Sequence, residues 1–213
     1  MTTSSIDLRP HHHPSIYSFS KRLLDIAGSL VGLAILAIFF LPIAVAIKWD
    51  SPGPVFYSQE RYGLYGHTFK MWKFRSMVEN AESLKHRVTK EADGLIFKSE
   101  NDPRVTRVGK FLRRTSLDEL PQFWNVFLGE MSLVGTRPPT GDEVVNYSDY
   151  HWQRLNVKPG MTGEWQVNGR SDVKDFEKIV EFDLRYQNVW HPWYDLAIIC
   201  KTIYVVFARV GAC

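Results

Sequence analysis

Leu23–Trp49, LLDIAGSLVGLAILAIFFLPIAVAIKW, decides how this chain is to be read. As a straight helix its roughly 27 residues would run ~40 Å, enough to cross a bilayer. A buried core helix of that length and purity does not suit a chain of 213 residues, so the run reads as a membrane element. Pro42 interrupts it, removing one hydrogen bond and kinking or breaking the helix. Lys21 and Arg22 flank one end and Lys48 the other, with Arg61, Lys70 and Lys73 beyond, so the positive-inside rule assigns no orientation. A segment that enters, bends at Pro42 and leaves by the same face accounts for both observations. A signal peptide is the rival, because Ala44-Val45-Ala46 mimics a cleavage site; the apolar run is long for one, and its polar lead-in extended. That lead-in, residues 1–19, carries Pro10-His11-His12-His13-Pro14 and reads as flexible; three histidines without a partner cluster make a poor metal site.

At 213 residues the chain suits one domain with a good core, or one domain plus an appendage. A net charge of +3 is too mild to argue for a nucleic-acid partner. The two cysteines, Cys200 and Cys213, form no disulfide framework, and nothing requires an oxidising compartment. There is no internal repeat.

Downstream of the turn Ser51-Pro52-Gly53-Pro54, Val55-Phe56-Tyr57 and Thr68–Phe74 read as the strands of a small hairpin around Gly63 and Gly66. Lys73 and Arg75, two apart, would share one strand face, as site cations or simply as an exposed face. Residues 79–92 are polar and helix-prone. Arg104–Arg114, RVTRVGKFLRR, reads as an amphipathic basic helix that suits anionic headgroups or a solvated surface. It leads into Thr115–Pro139, TSLDELPQFWNVFLGEMSLVGTRPP. Here Asp118 and Glu119 stand beside Lys110, Arg113 and Arg114, and Gly135-Thr136-Arg137-Pro138-Pro139 fixes one arginine on a stiff backbone. Acids beside such cations can hold a divalent metal or attack a phosphorus whose charge the cations neutralise. Thr115 or Ser116 can cap a short helix carrying the acids. The plainer alternative is a solvated first helical turn.

Asp142–Leu155 reads as one helix. In VKPGMTGEWQVNGRS, residues 157–171, Pro159-Gly160 and Gly163 read as turns, Trp165-Gln166-Val167 as extended, and Asn168-Gly169 as a tight turn presenting Arg170. Such glycines let backbone N–H groups approach a ligand, and Gln166, Asn168 and Arg170 add donors; a hairpin alone is the alternative. Val173–Gln187 and Pro192–Val210 read as helices. The stripe Trp193, Leu196, Ile199, Ile203, Val206–Phe207 suits a core or a membrane interface. The chain has no G-x-x-x-x-G-K-[ST], G-x-G-x-x-G or G-x-S-x-G motif, no Cys/His cluster and no D-x-D.

The order of these motifs resembles the bacterial sugar transferase family, the monotopic phosphoglycosyl transferases acting on polyprenol phosphate. The resemblance runs from about Lys21 to the C-terminus. It rests on Lys21-Arg22-Leu23-Leu24-Asp25, Ser51–Phe56, Lys70–Met77, Ser116-Leu117-Asp118-Glu119-Leu120-Pro121-Gln122, Gly129–Gly135, Arg137-Pro138, Pro159–Gly163 and Gln166–Arg170. It implies transfer of a sugar 1-phosphate from a UDP-sugar to polyprenol (undecaprenyl) phosphate, giving polyprenol-diphosphate-sugar and UMP. Asp118 would be the nucleophile of a covalent phosphosugar intermediate and a ligand of Mg2+, with Glu119 assisting. Lys73, Arg113, Arg137 and Arg170 would face phosphates. Pro42 would make the membrane segment re-entrant, although Leu41 precedes it where some relatives carry a small polar residue. The chain would be the minimal catalytic form, without the extra N-terminal helices of larger relatives.

The expected architecture is therefore α+β and mainly helical. Residues 1–19 are a flexible lead-in, 20–49 a re-entrant, Pro-broken membrane helix, and 50–213 a catalytic domain with a β-hairpin and amphipathic interfacial helices. The expected place is the cytoplasmic face of the bacterial inner membrane, with membrane lipid as a partner and no nucleic acid. Two other readings fit the residues: a metal-dependent glycosyltransferase releasing UDP, and a non-catalytic membrane scaffold.

Overall fold

In a computed structural model, which describes residues 12–84, 95, 102–169 and 175–208, the chain is mainly helical, with a two-stranded antiparallel hairpin and one short parallel strand pair. Most of it is organised along one helix. After the single-turn α1 (Pro14–Tyr17), Ser18 caps α2 (Phe19–Asp50) by accepting from the Lys21 N–H at 3.2 Å. The end of the lead-in is held in place: His13 Nε2 lies 2.9 Å from the Gln187 carbonyl, and Ser15 is buried.

α2 is 32 residues long and apolar enough to cross a membrane by length and composition. One narrow stripe of it is nonetheless buried in protein: Lys21, Asp25, Ser29 and Gly32 in the first half, Ile43 and Ile47 in the second. The spacing of three and four residues is that of one helix face. The first half of the seam is polar because it meets backbone. Lys21 Nζ donates to the Val134 carbonyl at 2.9 Å and pairs with Asp195 at 2.7 Å. Asp25 Oδ1 accepts from Ser132 Oγ and from the Leu133 N–H. Gly32 belongs to this seam because a Cβ there would fall 2.2 Å from the Phe123 ring. The second half is apolar: Ile43 and Ile47 close a core with Phe74, Leu112 and Leu120, and Phe40 stacks on Phe56 and Phe74. The opposite face exposes Leu23, Leu30, Val31, Ile38, Leu41 and Trp49.

The sequence leads one to expect a break at Pro42, yet the helix is continuous through it. A proline deletes one intrahelical donor, and the core contacts of Ile43 and Ile47 hold the following turns in helical register.

The hairpin forms as expected. β1 (Phe56–Tyr62) pairs with β2 (Thr68–Phe74), Tyr57 opposite Lys73 and Arg61 opposite Phe69, around a 3-10 turn in which Tyr65 adopts φ 54°. Arg75 does not share the strand face of Lys73. β2 ends at Phe74, and the buried Arg75 guanidinium donates to the Ser51 and Pro52 carbonyls, tying the hairpin base to the end of α2.

α3 (Arg107–Arg114) is capped by Thr106, whose hydroxyl accepts from the Gly109 N–H at 3.0 Å. Its Leu112 is buried and Phe111 exposed. α4 (Gln122–Leu128) ends at Gly129, which is left-handed at φ 87°. Arg22 of α2 donates to the Val126 and Phe127 carbonyls in that last turn.

β3 (Ser132–Val134) and β4 (Gly160–Thr162) pair in parallel. The glycines here serve a different approach from the one expected: a Cβ on Gly160 would fall 2.1 Å from the Gly135 nitrogen, so they admit backbone to backbone. The expected single helix over Asp142–Leu155 is instead α5 (Gly141–Val144), α6 (Asp149–Trp152) and a 3-10 turn from Gln153 to Asn156. Trp165-Gln166-Val167 is not extended; it lies in α7 (Glu164–Gly169). The helices α8 (Phe176–Val189) and α9 (Pro192–Phe207) follow, with Asp195 and Ile198 of α9 facing in and Trp193, Leu196 and Ile203 facing out.

Candidate active site

Asp118 and Glu119 lie on a 3-10 turn, Leu117–Glu119, between α3 and α4. Neither Thr115 nor Ser116 caps it. The Thr115 hydroxyl donates back to the Phe111 and Leu112 carbonyls, closing α3, and Ser116 reverses the chain in the left-handed region at φ 56°. Leu120 is buried in the core that α2 completes, with Leu117 packed against it. These two anchors fix the turn, so the acids are held by packing on either side. Asp118 is 7% exposed, which removes the solvated-turn reading for that residue.

Lys73 of β2 reaches the dyad: its ammonium donates to Glu119 Oε1 at 2.8 Å. Arg113, in the last turn of α3, donates from Nε to Ser76 Oγ at 2.9 Å, and its charge helps hold the Asp102 carboxyl below the usual range, after the larger effect of Arg104. Arg137 is held in a two-pronged pair with Glu143 of α5, at 2.7 and 3.0 Å. Burial raises the Glu143 pKa, but Arg137, followed by Arg61 and Arg154, outweighs it and the net shift is down. Arg154, fully buried, pairs with Asp183 and reaches the Tyr147 hydroxyl and the Arg137 carbonyl. Arg170 lies outside the described residues.

Two residues of this region were not singled out from sequence. In the sequence Arg61 reads only as a charge flanking the membrane segment, although strand alternation from Tyr57 puts it on the face that carries Lys73. Glu143 gave no signal, since its partner Arg137 is six residues away across an irregular Pro138-Pro139 connection.

Among the described residues no three His, Cys, Asp or Glu side chains gather as a metal cage. The dyad offers two adjacent carboxylates, and that donor set fits Mg2+, which takes one or two carboxylates together with water and substrate phosphates.

The family model described as bacterial sugar transferase matches residues 16–209. The chain belongs to the bacterial sugar transferase family. Within this family it is 48% identical over 195 residues to the galactosyl transferase CpsE of Streptococcus agalactiae serotype III, covering 91% of this chain and 43% of that protein. It is 46% identical to the undecaprenyl-phosphate galactose phosphotransferase of Salmonella typhimurium, over 91% of this chain and 42% of the relative. It is 40% identical to the exopolysaccharide production protein ExoY of Rhizobium meliloti, over 92% of this chain and 89% of the relative. The chain thus spans less than half of the first two relatives and most of the third.

Proposed function

We propose that this bacterial sugar transferase moves a sugar 1-phosphate from a UDP-sugar to polyprenol phosphate, in two displacements through Asp118. The observation that carries this reading is the Asp118-Glu119 turn, packed in place with Lys73 on Glu119, in a member of this family. The relatives named as undecaprenyl-phosphate galactose phosphotransferase and as UDP-glucose:undecaprenyl-phosphate glucose-1-phosphate transferase support the substrate classes. The relative named for exopolysaccharide production supports a place at the start of surface-polysaccharide assembly.

In the first displacement a carboxylate oxygen of Asp118 attacks the β-phosphorus of the UDP-sugar. The bond from that phosphorus to the bridging oxygen breaks, and UMP leaves with the electron pair. In the second, a phosphate oxygen of the polyprenol phosphate attacks the phosphorus of the aspartyl-phosphosugar, and Asp118 is regenerated as carboxylate. Two anionic substrates never need to meet, because one anion is dealt with at a time. Lys73 holds Glu119 in place and adds positive charge beside the dyad. Asp118, with Glu119 beside it, would hold Mg2+, which when bound supplies charge against the diphosphate.

The protein would sit on the cytoplasmic face of the inner membrane, with α2 lying so that both of its ends stay on that face. Both ends of α2 being packed on the same body supports this. Lys21 is buried against Val134 and Asp195, while Asp50 accepts from the Val108 N–H at 2.8 Å. A spanning orientation would pull one of these polar attachments through hydrocarbon. The exposed Phe111, Trp124, Leu128, Trp193 and Ile203 on α3, α4 and α9 suit interfacial contact with lipid.

The test is to incubate the purified protein with Mg2+, undecaprenyl phosphate and each of a panel of UDP-sugars, and to identify the nucleotide released. UMP with a lipid-linked sugar diphosphate is expected from one sugar or a few. UDP as the product overturns the reading.

A further inference from the structure

Arg61 is a cation held in an unusual setting. Its Nε and one terminal nitrogen donate to Gln59 Oε1 at 3.1 and 2.7 Å, and the other terminal nitrogen donates to the Pro138 carbonyl at 2.9 Å. All of these acceptors are neutral, and among the described residues no carboxylate lies within ion-pair distance of it. A guanidinium carries five N–H donors, so one N–H on each terminal nitrogen remains uncommitted. Among the charges that act on it, the second cation Arg137 comes first and is opposed by Glu143, with Glu119 a smaller contributor. Burial, and then Arg137, pull its pKa down to about 10, which leaves it charged at neutral pH.

Fastening a carbonyl and an amide does not require a charge. Half-burying one beside another cation is unfavourable until an anion arrives. The geometry also says where that anion would sit. Lys73 lies opposite Tyr57, and Arg61 is four residues further along the same face of β1, about 13 Å by strand rise. The hairpin face thus carries one cation at the dyad and a second one towards Pro138, where Arg137 joins it.

We infer that Arg61, with Arg137, binds the phosphate that departs with the nucleotide, while Lys73 serves the dyad end. The inference rests on the transferase reading and adds a binding residue to it. The ligand is a nucleoside monophosphate phosphate, the group retained by the UMP product.

Calorimetric binding of UMP and of uridine to the detergent- or nanodisc-held protein tests it. In Arg61→Gln, UMP affinity should fall about tenfold or more, the scale of charged hydrogen bonds lost, while uridine affinity stays as in the wild type. Arg61→Lys, which keeps charge but not the paired donors, should show a smaller loss confined to UMP; it also carries the test should the Gln variant not fold. Gln59→Leu, which removes the tether but leaves the guanidinium, should keep the preference for UMP. Equal losses for UMP and uridine, an unchanged UMP affinity, or a Gln59→Leu loss matching that of Arg61→Gln would each overturn the inference. A wild type that releases UMP, with unchanged UMP binding in the variants, overturns this inference alone. A wild type that releases UDP overturns the reading beneath it.

Discussion

The Lys73 ammonium lies 2.8 Å from Glu119 Oε1, joining the last part of the hairpin to the turn that carries Asp118. The two side chains are 26% and 28% exposed, so the pair is too solvated to add much stability, at most about 1 kcal/mol. Its value is placement: Glu119 is fixed, and a positive charge stands at the dyad. Lys73→Gln should therefore reduce turnover by about tenfold to hundredfold while shifting the melting temperature little. Steady-state UMP release alongside a thermal melt reads both. A large drop in melting temperature with unchanged turnover would assign the pair to the scaffold.

Glu143 has a similar part towards Arg137, but in a buried setting. Burial pushes its pKa up, but Arg137 together with Arg61 and Arg154 outweighs burial and lowers it from 4.5. A carboxylate with a lowered folded-state pKa binds fewer protons in the folded chain than in the unfolded one. Its stabilising contribution is therefore complete above about 4.5 and is lost as pH falls through the lower folded value. Glu143→Gln should flatten that acid limb of the stability profile relative to wild type. It should also raise KM for the UDP-sugar, because Arg137 loses the two-pronged hold. Urea melts between pH 3 and 7 check the first expectation, and initial rates check the second.

Lys21 and Asp195 form an ion pair that is almost solvent-free, with Tyr186 and Trp190 completing the Asp195 shell. Removing one partner strands the other charge, so Asp195→Ala should destabilise the fold by about 3–5 kcal/mol. The double variant Lys21→Met with Asp195→Leu should recover part of that loss. Denaturant melts in one detergent give both values.

Much of this was legible in the sequence, for identifiable reasons. The long apolar run, the hairpin and the basic helix announce themselves through local composition and turn residues. Asp118-Glu119 by itself also suits a solvated first helical turn, and the order of the surrounding motifs is what gives it weight; the family that order implies is borne out by the match over residues 16–209. What stayed hidden depends on distant partners. The long apolar run masks which face of α2 is buried, and Lys21 and Asp25 gain their meaning only from Val134, Leu133 and Asp195, more than a hundred residues away. The glycines around Trp165 suggest turns in the sequence, whereas they serve the close crossing of β3 and β4 and the segment is helical. Arg61 was missed because its role depends on strand register and on the Pro138 carbonyl.

The path of α2 has a direct test at its two ends. Phe19 is 81% exposed and Trp49 89% exposed, so cysteines placed there, with Cys200 and Cys213 replaced by serine, should be reachable. A membrane-impermeant maleimide should label both in inside-out vesicles and neither in spheroplasts. Labelling of the two from opposite sides would establish a spanning helix.

Covalent chemistry at Asp118 is read out by intact-protein mass spectrometry. Protein, Mg2+ and a reactive UDP-sugar are mixed without lipid acceptor, and nucleotide release is followed in the same sample. The account predicts a mass increase of one sugar phosphate, mapped to Asp118, with matching UMP, and loss of both in a folded Asp118→Asn variant. Turnover with lipid acceptor but no adduct on the wild type, or an adduct that persists in Asp118→Asn, would contradict it.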